Sequence, residues 1–288
     1  MYCIILLIKI FILINVWKGG RNMIVVRGAG DLASGVIHRL NRCGFDVVCL
    51  EVEKPLAIRR NVSFSEAVYE GEFSVEGVCA KLCNNIEEIK KAIKDKNVAL
   101  VVDEKGEYIK YLKPDIVIDC ILAKKNLGTN KDMAKLTIAL GPGFCAGKDV
   151  DIVIETMRGH NLGKIINSGY ALKNTSTPGI INGVGKERVG YAKESGIIEN
   201  IASIGSVVKK DEVLAYIINK DNEKIDVKAN IDGVLRGIIR NKSNIVKGLK
   251  ILDIDPRIEE VNNCYTISDK ARCIAGSVLE EVVRFYNK

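Results

Sequence analysis

Residues 23–42 constrain the fold more than any other stretch of this chain. The β-branched run Ile24-Val25-Val26 leads into Arg27-Gly28-Ala29-Gly30-Asp31-Leu32-Ala33, after which apolar residues recur at Leu32, Val36, Ile37 and Leu40. A run of this kind reads as a buried strand, and the later spacing reads as one face of a helix over residues 31–42. Gly44 then provides a stop. A strand that turns through two glycines into a helix is the opening of an α/β domain with a parallel sheet.

Each small residue in the turn has a reason. Gly28 permits a tight turn, Gly30 lets backbone approach a ligand, and Ala33 lets helix and strand pack closely. Amide groups at a helix start favour an anion. Glu51 closes a second predicted strand, residues 46–52, about 20 residues further on, where an acid that binds a ribose belongs in this fold. Gly28, Ala29, Gly30, Asp31 and Glu51 are therefore candidate ligand-binding residues, with a dinucleotide as one possible guest. The alternative is a tight connection that binds nothing. Asp31 complicates a phosphate here, because its carboxylate repels one unless Arg27 or another cation offsets it.

The alternation continues. Residues 86–96 carry Ile86, Ile89 and Ile93 on one helical face, and residues 98–102 and 116–118 are short buried strands. The fold class expected is α/β, a Rossmann-like, mostly parallel sheet over residues 23–189. From about Gly190 onward turns crowd together, at Gly205, Asp221-Asn222, Asp232-Gly233 and Lys247-Gly248, with short β-rich runs between them. Residues 190–257 thus read as a compact all-β module. Residues 258–288 return to helix, with Ala271, Ile274, Val278, Leu279 and Val282 on one stripe.

The first 22 residues differ in kind. Their two apolar runs are split by Lys9, are short for a membrane span, and lack a small-residue cleavage site. A start at Met23 is the expectation, ahead of an anchor or a signal peptide. Three of the excess positive charges behind the net +7 (Lys9, Lys18 and Arg21) lie in this stretch. The mild balance that remains, with aromatics at 6%, argues against a nucleic-acid surface. Nine scattered cysteines without a Cys-x-x-Cys, and only two histidines, suggest a reduced cytoplasmic chain and give no metal site.

Two further polar clusters stand out. Residues 119–129, Asp-Cys-Ile-Leu-Ala-Lys-Lys-Asn-Leu-Gly-Thr, follow a predicted strand, and open α/β sheets bind ligands at the carboxyl ends of strands. Lys124 suits a phosphate and Asn126 can orient one; a solvated basic loop is the alternative. Residues 152–154 lead into Glu155-Thr156-Met157-Arg158-Gly159-His160. Glu155, Arg158 and His160 are a grouping suited to an anionic heterocycle or to proton transfer. The alternative is a Glu155–Arg158 ion pair beside a surface histidine.

Together, these motifs resemble the selenium-dependent molybdenum hydroxylase system proteins of the YqeB type. The resemblance is carried by Arg27-Gly-Ala-Gly-Asp-Leu-Ala, Leu122-Ala-Lys-Lys-Asn-Leu-Gly-Thr, Leu140-Gly-Pro-Gly-Phe, Val153-Ile-Glu-Thr-Met-Arg-Gly-His and Asn174-Thr. It continues through Asp232-Gly-Val-Leu-Arg-Gly, residues 250–257 and Ser268-Asp-Lys-Ala-Arg. It implies an accessory role in maturing a molybdenum hydroxylase, with the apoprotein or other maturation proteins as partners and the molybdenum cofactor or a nucleotide-like molecule as ligand. No catalytic residue is carried over. An NAD(P)-dependent oxidoreductase and a non-catalytic scaffold are the other functions open to such a chain. Residues 197–255 also resemble a biotinyl/lipoyl-type barrel-sandwich module. Lys220 and Lys224 flank the turn at Asp221-Asn222-Glu223, but neither has the neighbours of a modified carrier lysine.

Overall fold

The computed structural model describes residues 22–174 and 182–288, so nearly all of the apolar N-terminal extension lies outside the described residues. The chain opens with β1 (Met23–Arg27), α1 (Asp31–Arg42) and β2 (Asp46–Glu51). Next come α2 (Ala67–Glu70), β3 (Glu72–Val75), β4 (Val78–Leu82), α3 (Ile86–Lys94) and β5 (Val98–Val102). Then follow α4 (Tyr108–Leu112), β6 (Ile116–Asp119), β7 (Leu136–Leu140), β8 (Cys145–Ala146), β9 (Ile152–Ile154), β10 (Ile165–Ile166) and β11 (Gly169–Tyr170).

Nine of these strands form one sheet in the order β10-β9-β7-β6-β1-β2-β5-β4-β3. Seven neighbouring strands run parallel, and only the edge pairs β9–β10 and β3–β4 are antiparallel. This is the large, mostly parallel sheet expected from the alternation of elements. β1 pairs with both β2 and β6. The chain leaves β1 toward β2 and returns to its other side at β6, so the carboxyl ends of β1 and β6 flank the topological switch point.

Both faces of β1 are covered. Ile24 and Val26 pack with α1, whereas Met23 and Val25 face the layer of α3 and α4. That explains why β1 reads as an unbroken apolar run and not as an alternation. Helix α3 begins where Asn85 accepts the Glu88 amide at 2.9 Å and the Glu88 carboxylate accepts the Asn84 amide at 2.8 Å, a reciprocal cap.

The β6–β7 and β7–β9 connections carry no α-helix among the described residues. Their face of the sheet is covered by α5 (Asp269–Tyr286), which comes from the far end of the chain. Ala271, Ile274, Ala275, Val278 and Val282 share a core with Ile118, Ile138 and Ile154, with Leu279 partly buried beside them. Ser268 caps α5 by accepting the Ala271 amide.

Before α5 lies the β module: β12 (Val189–Tyr191), β13 (Gly196–Asn200), β14 (Val207–Val208), β15 (Val213–Ile218), β16 (Lys224–Lys228), β17 (Gly233–Ile238), β18 (Asn244–Ile245) and β19 (Lys250–Asp255). They make two four-stranded antiparallel sheets, β12-β19-β17-β14 and β16-β15-β13-β18. One core, including Ile198, Leu214, Leu235 and Leu252, fills the space between them.

Residues 53–66 have no periodic pattern and form a strap. The Ser65 amide donates to the Ala29 carbonyl at 2.9 Å, and the Phe64 amide donates to Ser34 Oγ at 2.8 Å. On its other side the strap meets β17. A Cβ added at Gly237 would lie 2.7 Å from the Ile58 carbonyl oxygen. Glu66 and Glu70 pair with Arg240 at 2.7 and 2.5 Å. The strap is therefore wedged between the glycine turn and the β module. Among the described residues no helix is long and apolar enough to cross a membrane.

Candidate functional site

The glycine turn sits at the carboxyl end of β1. Gly28 has φ +93°, and a Cβ there would lie 3.1 Å from the backbone of Cys120 and Ile121. Glycine is required at that position by both conformation and space. Gly30 instead has nothing within 4 Å of its absent side chain, and it precedes α1 without a side-chain cap. Gly30 thus leaves the first-turn amides of α1 without a side-chain cap among the described residues.

Glu51 reaches into this turn from β2. Its Oε2 accepts the Ala29 amide and its Oε1 accepts its neighbour Val52's amide, both at 2.8 Å. Burial pushes its carboxyl above the ordinary range, against those two bonds. Gly28, Gly30, Asp31 and Glu51 do converge, on a cavity of about 230 Å³ that Pro55, Leu56 and Ser65 of the strap also line. That is below the usual range of about 300–1,000 Å³ for small-molecule pockets.

Arg27 turns away from Asp31. It is 2% exposed, donates to Thr129 Oγ1 at 2.5 Å and to the Glu104 carbonyl at 3.1 Å, and stands 3.9 Å from Asp119. Thr129 in turn donates to Asp119 at 2.6 Å. Burial is the largest influence on Asp119 and raises its carboxyl above the ordinary range. This network ties the loop after β6 to β1. Asn126 holds the same loop internally, donating to the Thr129 carbonyl and accepting the Gly128 amide, both at 2.8 Å. Lys124 is exposed, with φ +63°. The loop is also locked against Gly143, whose added Cβ would lie 2.7 Å from the Lys125 nitrogen.

A larger cleft, about 820 Å³, opens between the carboxyl ends of the strands, the β module and the start of α5. Asp31 and Leu32 line both cavities, so the start of α1 borders each of them. Glu155 and Arg158 line the large cleft but do not pair with each other. Both Glu155 oxygens accept main-chain amides, from Met157 at 2.7 Å and Leu172 at 2.8 Å. Arg158 makes a bidentate contact with Asp269 at 2.7 and 2.8 Å and holds that carboxyl well below its usual range. His160 is exposed and does not line the cleft.

The cleft contains four cations that were not singled out in the sequence: Arg188, which bonds to Asp253, and Arg59, Arg236 and Lys270. Arg59, on the strap, is 7% exposed; it stands 3.4 Å from Asp31 and donates to the carbonyls of Asn263 and Thr266 at 2.9 and 3.0 Å. It, and not Arg27, offsets Asp31. Arg236 of β17 and Lys270 of α5 have no carboxylate in ion-pair range among the described residues. Burial lowers the proton affinity of both, helped by Arg59 near Arg236 and by Arg158 near Lys270, and opposed by Asp253, Asp255 and Asp31 at Arg236 and by Asp31, Glu155 and Asp269 at Lys270. Both residues fall within runs that carry the family resemblance, yet no local pattern relates them to residue 31 or 155. Among the described residues, no three His, Cys, Asp or Glu side chains gather as a metal site.

No protein-family model matches the chain. Solved structures similar to it include the apo ectoine utilization protein EutE (DoeB) from Ruegeria pomeroyi, at 10% identity over 82% of this chain and 86% of that one, with a TM-score of 0.27. An aspartoacylase family protein from Mesorhizobium loti gives 13% identity, coverage of 83% and 86%, and a TM-score of 0.26. Likenesses this remote carry no weight for fold or activity. By sequence the chain is 47% identical over 264 residues to the uncharacterized protein YqeB of Escherichia coli (strain K12). That match covers 92% of this chain and 48% of YqeB, so the chain spans about half the length of its relative. The chain is thus related to YqeB over most of its own length, which supports a YqeB-type family.

Proposed function

We propose that this chain is a cytoplasmic accessory protein in the maturation of a selenium-dependent molybdenum hydroxylase, and that it holds a nucleotide-like or molybdenum cofactor ligand. The observation that carries this reading is the cleft of about 820 Å³ at the carboxyl ends of the parallel strands. Its size suits a small organic ligand. Its lining joins elements from the sheet, the strap, the β module and α5, and it includes five cations, Arg59, Arg158, Arg188, Arg236 and Lys270, against three carboxylates, Asp31, Glu155 and Asp253. Such a lining favours an anionic guest. The order of motifs that resembles the selenium-dependent molybdenum hydroxylase system proteins supports the biological setting.

The β module serves as the partner-binding element, built as a barrel-sandwich of the biotinyl/lipoyl type. Ile197, Val207 and Val246 are exposed on it at 45%, 53% and 64%, which suits contact with the hydroxylase apoprotein or a second maturation protein. The test is hydroxylase activity in cells lacking the gene. Loss of activity with accumulation of an apoprotein that lacks its cofactor is expected. Full activity would overturn the proposal.

The second reading is an NAD(P)-dependent oxidoreductase, favoured by the strand–glycine turn–helix at residues 23–42. It has less support, because both Glu51 oxygens already accept amides and the adjoining cavity is small. Calorimetry with NAD⁺ separates the two readings. Under the oxidoreductase reading the dinucleotide binds and Glu51→Ala weakens it.

A further inference from the structure

The charges of the large cleft pair off unevenly. Arg59 faces Asp31, Arg188 bonds to Asp253, and Arg158 grips Asp269. Glu155 is satisfied by the amides of Met157 and Leu172. Two cations, Arg236 and Lys270, remain without an acid in ion-pair range among the described residues, and the buried Nε of Arg236 has no hydrogen-bond partner. Among the described residues the Nε of Arg59 is likewise buried and unpartnered. Unsatisfied buried donors are few in folded proteins and each needs a cause. The acids that act on the two cations, Asp31, Asp253 and Asp255 on Arg236 and Asp31, Glu155 and Asp269 on Lys270, stand beyond ion-pair range, so an anion brought into contact with both is favoured.

We infer that Arg236 and Lys270 form a phosphate site in this cleft, taking the phosphomonoester or pyrophosphate group of the bound ligand. This rests on the ligand-holding reading above and names the chemical class of what is held. The arginine supplies a planar fork suited to phosphate oxygens, and the lysine supplies a point charge. Lys270 lies in the first turn of α5, an 18-residue helix whose amino end adds a positive field. The nearest first-turn amides are already taken, Ala271 by Ser268 and Lys270 by Asp269, so side chains must do the holding. A second cavity of about 570 Å³ shares Arg158, Arg236 and Ser268 with the first, leaving room around Arg236 for a group larger than a single ion. The phosphate is thereby assigned to cations of the β module and α5 rather than to the glycine turn, with Asp31 bordering the same cleft and held by Arg59.

Calorimetry and thermal denaturation of the full chain with sodium pyrophosphate test the site. Binding is expected, with a rise in Tm, and Arg236→Gln and Lys270→Gln are each expected to weaken it at least about tenfold. Lost binding with the ligand-free Tm of the wild type is the expected result; lost binding with a lowered ligand-free Tm would mark a structural role and overturn the site. The proposal is overturned by absence of binding at about 10 mM pyrophosphate, by wild-type affinity in both variants, or by succinate binding equally well through the same two residues. Its failure is separable from failure of the maturation reading. Pyrophosphate binding with intact hydroxylase activity in deletion cells removes only the latter; lost hydroxylase activity without pyrophosphate binding removes only the former.

Discussion

Gly28 and Gly30 stand two residues apart in one motif and answer to different constraints. Gly28 has φ +93°, and its absent Cβ would lie 3.1 Å from the Cys120–Ile121 backbone. Gly30 has φ −67° and open space around it. Gly28→Ala should cost about 1–3 kcal/mol from the strained backbone, and crowding adds to that. Gly30→Ala should stay within about 0.5 kcal/mol. Urea denaturation of the two variants checks this, and equal costs would count against it. The glycine pattern was legible in the sequence because backbone conformation is a local property. The occupant of the space it creates was not, because Glu51 and the strap arrive there by tertiary contact.

Helix α1 was readable from its spacing alone, and so was α5. Their mutual contact was not. Gly35 is a mid-helix glycine with no local reason to be there; its added Cβ would lie 2.8 Å from the Ala271 Cβ. The two helices are in contact at this point. Replacing a helical glycine with alanine normally gains up to about 1 kcal/mol. Here Gly35→Ala should instead destabilise by about 1–3 kcal/mol through overpacking, and Ala271→Gly in the same chain should restore part of the loss. A thermal double-mutant cycle measures the coupling; additive effects would place the two helices farther apart. The strap was invisible at this scale, since it has no periodicity and is held by single hydrogen bonds to the glycine turn and by contacts with β17.

At the scale of the molecule, the chain closes on itself. Helix α5 follows the β module in sequence but covers the nine-stranded sheet, filling a face left bare by the β6–β7 and β7–β9 connections. Each of its buried isoleucine and valine side chains contributes roughly 1.5–3 kcal/mol, against a net stability of about 5–15 kcal/mol for a whole domain. Truncation after residue 268 should therefore abolish cooperative unfolding of the sheet and expose apolar surface. Circular dichroism and binding of an apolar dye would show this; a cooperative transition at the wild-type temperature would refute it.

The alternation of strands and helices, the turn at Gly28, the change to short β runs near Gly190 and the final amphipathic helix all follow from the sequence itself. Each depends on spacing, turn chemistry or burial pattern within a score of residues, and those are written locally. The cleft was decided only by the tertiary structure. Arg59, Arg236 and Lys270 lie far apart in the chain, in a strap, a strand and a helix, and nothing in their immediate neighbours distinguishes them from solvated surface charges. Ion pairing acts through space, so which cations keep a partner, and which are left facing a cavity without one, is settled only when those three elements meet.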